Sequence, residues 1–121
     1  MDVEMPKPTD ESLTAFAALV PEDPRVAVKP MFGNVGAFVN GNMFMGLFGD
    51  QLGVKLSDAD GARLRSDGGG PFGPSQRPMG GYVSLPEGWA ERPDQAAEWV
   101  DAALGHVAAV PPKSPKKRRG G

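Results

Sequence analysis

The single histidine, His106, is the first place to look for acid–base chemistry, because imidazole is the side chain that titrates near neutral pH. A Ser-His-Asp or Cys-His site needs that ring beside a nucleophile. His106 instead falls near the end of a helical stretch, where a protonated ring favours the helix dipole, and the chain has no cysteine. One histidine without cysteine also argues against zinc. Gly68, Gly70 and Gly73 match G-x-G-x-x-G, which binds dinucleotides when a strand precedes it and a helix follows. Here the glycines follow a helical pattern, contain Pro71 and run into Pro74 and Pro78, so they read as a loop. No P-loop motif is present. Asp58 with Asp60, or Glu87 with Glu91, could pair as acid and base, but carboxylates at helix starts and on loops are ordinarily solvated caps. Met31, Met43, Met45 and Met79 offer soft sulfur to a metal, yet two of them lie on the predicted core face. Trp89 and Trp99 read as covers over the core, with partner contact as the alternative. The expectation is therefore no catalytic residue, no cofactor and no metal: not an enzyme, with a small-molecule enzyme as the most distant alternative.

The elements that would position these residues are those of one small domain, since 121 residues can build one core and not two. The longest apolar stretch, Met43 to Phe48, is far short of the ~20 residues of a membrane helix. The acidic start lacks the basic and then apolar pattern of an export signal, and the absence of cysteine suits a reducing compartment, so a cytoplasmic protein is expected. Thr9 or Asp10 caps a first helix whose stripe is Leu13, Phe16, Ala17 and Val20, ended by Pro21 and Pro24. Strands follow from about Arg25 to Leu56, with turns at Gly33-Asn34, Asn40-Gly41 and Gly49-Asp50; Pro30 marks the first as an edge or bulged strand.

A two-residue turn at Asn40-Gly41 pairs Phe38 with Met43, Ala37 with Phe44 and Gly36 with Met45. One at Gly49-Asp50 pairs Leu47 with Leu52, Gly46 with Gly53 and Met45 with Val54. The two registers put Phe38, Met43, Met45, Leu47, Leu52, Val54 and Leu56 on the core face. Val35, Ala37, Val39, Phe44, Phe48, Gln51 and Lys55 then lie on the other face, around a floor made by Gly46 and Gly53. Phe44, Gly46, Phe48, Gly53 and Lys55 become the candidate surface for an unidentified protein partner or a homodimer, unless the last helix or the Gly68–Gly81 loop covers them. Gly33 and Gly41 are structural turn residues, and Gly36 makes room opposite Met45. Ser57 and Asp60 open a second helix through Ala62 and Leu64; a loop to Gly81, a strand at Tyr82–Leu85 and a helix from Asp94 to Ala109 follow. The predicted class is α+β, an antiparallel sheet with helices on one face, in the order α, three or four strands, α, one or two strands, α.

Charge divides the chain. Residues 1–112 hold 8 basic and 15 acidic side chains, whereas Lys113, Lys116, Lys117, Arg118 and Arg119 add five positive charges in a Pro, Gly and Ser context. The expected organisation is a disordered start over 1–8, a domain over 9–110 and a disordered basic tail over 111–121. That tail is a candidate for weak, sequence-independent nucleic-acid contact, the alternative function; a solvated tail is the plainer reading.

The run from Lys29 to Leu56, the Pro71-Phe72 loop, Gly81-Tyr82 with Leu85-Pro86 and a final helix carrying Trp99 resemble the N-terminal domain of the TfoX/Sxy family. The similarity spans about Leu13 to Ala108 and rests on Met31-Phe32-Gly33, Asn40-Gly41 with Met43-Phe44, and Leu52 with Lys55 and Leu56. It implies a fold similar to secretion chaperones and a stand-alone copy of the N-terminal domain. It also implies a regulatory module linked to competence and transcription, where named members act as coactivators alongside a C-terminal domain. The resemblance implies no catalytic residue.

Overall fold

Two turns that only certain residues make easily set out the sheet. A computed structural model describes residues 8–31, 34–73 and 80–110. In chain order the elements are α1 (Asp10–Leu19), β1 (Val26–Met31), β2 (Asn34–Val39), β3 (Asn42–Phe48), β4 (Gln51–Lys55), α2 (Asp58–Ser66), β5 (Gly70–Pro71), β6 (Tyr82–Ser84) and α3 (Pro93–Ala108), with a 3-10 turn at Trp89–Glu91 before α3. Among the described residues the six strands form one antiparallel sheet in the order β1-β2-β3-β4-β6-β5, so the domain is α+β. Asn40 and Gly41 both have positive φ, 56° and 80°, the pattern of the tight turn that matches strand twist. Gly49 has φ 60° in the next turn. Both are where the sequence puts them; Gly33 lies outside the described residues.

The register of β3 on β4 is also as expected, with Met45 on Val54, Gly46 on Gly53 and Leu47 on Leu52. That of β2 on β3 is not. Phe38 faces Met43, but Ala37 faces Met45 and Gly36 faces Gly46, which leaves Phe44 as one extra residue on β3. A bulge of this kind moves every later side chain to the opposite face. Ala37, Val39 and Phe44 therefore join Met45, Leu47, Leu52 and Val54 in the core beneath the helices, each at most 2% exposed. Phe38 and Met43, expected in that core, lie on the other face. Gly36 thus makes room opposite Gly46, not Met45.

The helices pack by their apolar stripes, but two stripes are rotated from the expected ones. In α3, where the spacing predicts Ala97, Val100, Leu104, Val107 and Ala108 inward, the buried residues are Ala96, Val100, Ala103 and Val107, while Ala97, Leu104 and Ala108 sit at the margin. In α1 they are Ser12 and Phe16, leaving Leu13 and Ala17 exposed. A polar tie holds α1 in this orientation: Asp50, in the β3–β4 turn, accepts hydrogen bonds from Ser12 Oγ at 2.8 Å, Thr9 Oγ1 at 3.2 Å and the Thr9 amide at 3.3 Å. These bonds hold the Asp50 carboxyl below its ordinary range, the Ser12 bond foremost. Thr9 caps the helix through the Ser12 amide. The Trp89 indole N–H donates to the Asp50 carbonyl at 2.9 Å, so a single turn anchors both α1 and the 3-10 turn. At the opposite end, Asn40 Nδ2 donates to the Ala108 carbonyl and ties the β2–β3 turn to the end of α3.

Candidate protein-docking groove

The face of the sheet away from the helices was expected to offer a glycine floor to a partner. The floor exists, as Gly36, Gly46 and Gly53 stand side by side on three strands. It is not open. Phe72, carried in by β5, lies flat on it and is only 2% exposed. A Cβ on Gly53 would fall 2.3 Å from the Phe72 ring, so only glycine lets the ring settle there. Phe48 meets Phe72 edge-on at 6.4 Å, and Tyr82 lies 6.0 Å from it while donating its hydroxyl to the Met43 carbonyl at 2.8 Å. Burial raises the Tyr82 pKa. Lys55 Nζ stands over the Tyr82 ring at 5.3 Å. Of the five residues expected to form a partner surface, Phe44 is in the core, Gly46 and Gly53 are roofed, and Phe48 and Lys55 pack around the roof. The cover is the loop aromatic.

The open apolar surface lies elsewhere, at the β1 edge. Beyond β1 the sheet has no further strand among the described residues, and Ala27 to Pro30 are exposed. Between α1, α3 and β1 runs a groove of about 810 Å³. Its floor is Val28 and Val35, its near wall Leu13 and Ala17, its far wall Ala97; Glu22 and Asp101 stand on the rim. Val28 is 51% exposed and Leu13 39%, two of the three large apolar side chains left exposed among the described residues. The orientation of α1 held by its Asp50 tie turns Leu13 and Ala17 toward this groove. Nothing in the apolar spacing of α1 announces it; Pro30 was the legible signal, since proline in a strand marks an edge.

A second, more polar cleft of about 460 Å³ lies between α2 and α3, lined by Arg63, Arg92, Trp89 and Trp99. Its cations are engaged. Arg63 pairs with Asp60 at 2.6 Å and lies over Trp99 at 5.1 Å, and Arg92 donates to the Glu87 carbonyl at 2.9 Å. Asp58 and Asp60 sit in the first turn of α2 below the Ser57 cap, so Asp60 serves an ion pair and a helix start. Gly68 and Gly73 have positive φ in a loop that delivers Phe72 to the sheet, a folding role. His106 occupies the last turn of α3. Among the described residues no group of three or more His, Asp or Glu could hold a metal ion, and no helix is long and apolar enough to cross a membrane. The basic residues from Lys113 to Arg119 lie outside the described residues.

A comparison with curated proteins finds no match. The family model described as the TfoX N-terminal domain matches residues 16–107, from the core aromatic of α1 to the last buried valine of α3. That span contains the bulged meander, the Phe72 roof and the groove over β1 apart from Leu13, and the chain belongs to the TfoX N-terminal domain family.

Proposed function

We propose that this chain is a non-enzymatic, cytoplasmic interaction module that serves transcriptional regulation of the competence type by docking a protein partner in the groove over β1. The groove carries the reading: Leu13 and Val28 hold apolar surface in water beside an edge strand, where a partner would remove it. Leu13→Glu places a charge on that wall while leaving the buried Phe16 and Ser12 in place. A protein captured by the full chain, purified and titrated back, should perturb the amides of α1 and β1 and bind the Leu13→Glu chain at least about tenfold more weakly. Equal affinity for both chains would overturn the reading.

The cluster of five cations within residues 113–119 supports a second reading, weak contact with nucleic-acid phosphates. Binding of labelled duplex should then fall steeply with salt and be lost when the five are replaced by Gln or Ser. Unchanged binding after replacement would reject it.

A further inference from the structure

The hydrogen-bonding groups along the open edge of β1 are unequal in a way that selects what can lie beside it. Leu52 and Leu56 bond toward β6, so Gly53 bonds to Gly46 on β3, Leu47 and Met45 bond to Val35 and Ala37 on β2, and Asn34, Gly36 and Phe38 form the hydrogen-bonded pairs with Met31, Lys29 and Ala27. Val26, Val28 and Pro30 alternate with these and turn their backbone groups away from β2. Two observations agree with that parity: Pro30 has no N–H to give, and the Val26 N–H donates backwards to the Asp23 carbonyl at 2.9 Å. Among the described residues the edge therefore presents three carbonyls, those of Val26, Val28 and Pro30, and one free N–H, that of Val28.

This ratio disfavours a second copy. Two such edges brought together would face six acceptors with two donors, and pairing centred on Ala27 would also set Arg25 against Lys29 of the other copy. Residues 111–121 fit no better, since they carry prolines at 111, 112 and 115 and five cations. Lys29, over the Phe38 ring at 5.3 Å, makes no ion pair among the described residues and points to the face opposite the groove.

Resting on the groove reading above, we infer that the partner contributes an extended, proline-free segment that adds to β1 as an antiparallel strand. Its alternate N–H groups fill the carbonyls of Val26, Val28 and Pro30. Its apolar side chains lie in the groove beside Val28, and a carboxylate on the other face meets Lys29. Antiparallel addition continues the ladder of the whole sheet.

The probe is a capped seven-residue peptide alternating glutamate and valine, titrated into the isotope-labelled full chain and followed by amide chemical shifts. Shifts should centre on Val26–Met31 and Asn34–Val39. N-methylation of the peptide's valines, whose N–H groups face β1, should abolish them, while N-methylation of its glutamates should spare them. Lysine in place of glutamate should weaken binding by about fivefold, and Val28→Pro, which removes the one free donor, by about tenfold. Equal titration by the two N-methylated peptides, or no shift in β1, overturns strand addition. Shifts confined to α1 and Ala97–Asp101 overturn it too, but leave the groove reading standing. Concentration-dependent β1 shifts without peptide would show that a second copy takes the edge, which also overturns the proposal.

Discussion

The middle of the sheet and its β1 edge are made from similar residues and end in opposite states. Around β3 and β4 both faces are closed, one by Phe16 of α1 and the buried stripe of α3, the other by Phe72 over Gly46 and Gly53. Each strand there also has a neighbour on both sides. At β1 the edge is open and, among the described residues, only Val26 packs against the core, while Val28 remains 51% exposed. Apolar composition alone does not decide burial. What decides it is whether a covering side chain arrives from outside the sheet, and among the described residues none closes over Val28.

The strongest way to break the closed half is to lift Phe72. Gly53→Val should destabilise by about 3 kcal/mol, because its side chain occupies the ring's position, and Phe72→Ala by a similar amount through the cavity it leaves. Chemical denaturation of both, and of the double variant, checks this: the double variant should cost clearly less than the two together, since the clash needs the ring. Strict additivity would show that the ring does not rest on Gly53.

Gly41→Val should come next, at about 1 kcal/mol or more, because Gly41 has φ 80° and valine is strained there. A thermal midpoint equal to that of the parent chain would remove the turn from the account.

Asp50→Ala tests the tie that aims Leu13 at the groove. Loss of its bonds to Thr9 and Ser12 should cost about 1 kcal/mol at neutral pH and disturb the α1 amides. Because folding lowers the Asp50 pKa, its contribution is complete above the ordinary carboxylate value of about 4 and is lost as pH falls through the lower folded value. The stability gap between parent and Asp50→Ala should therefore hold above about pH 4 and narrow as the pH is taken below it. Asp23, brought to about 2 by Arg25, is present in both chains and leaves the gap between them unchanged.

These residues also show how far the sequence could be read. Asn40-Gly41, Gly49-Asp50, the Thr9 and Ser57 caps and the extent of α3 were legible because each is a local choice, made by a few neighbouring residues with known backbone preferences. The β2–β3 faces were not. Phe38, Val39, Met43, Phe44 and Met45 are all apolar, so neither face is marked by polarity, and one bulged residue reverses the assignment at no visible cost in pattern. Phe72 and the rotation of α1 escaped for a different reason. Both depend on contacts across the chain, from Phe72 to Gly53 and from Ser12 to Asp50, that no local window contains. Pro30 marked the edge correctly, but that Val28 on the same strand stays uncovered could be seen only in the fold.

The central claim is that the β1 edge stands open while the centre of the sheet is closed, and amide hydrogen exchange of Val28 against Val54 in the free full chain tests it most directly. Val54 lies on β4, with β3 and β6 on either side, and should exchange only through global unfolding. The Val28 N–H should exchange orders of magnitude faster, near the rate of an unprotected amide. Protection of Val28 comparable to that of Val54 would mean that the edge is already occupied in the free protein, and would contradict the account.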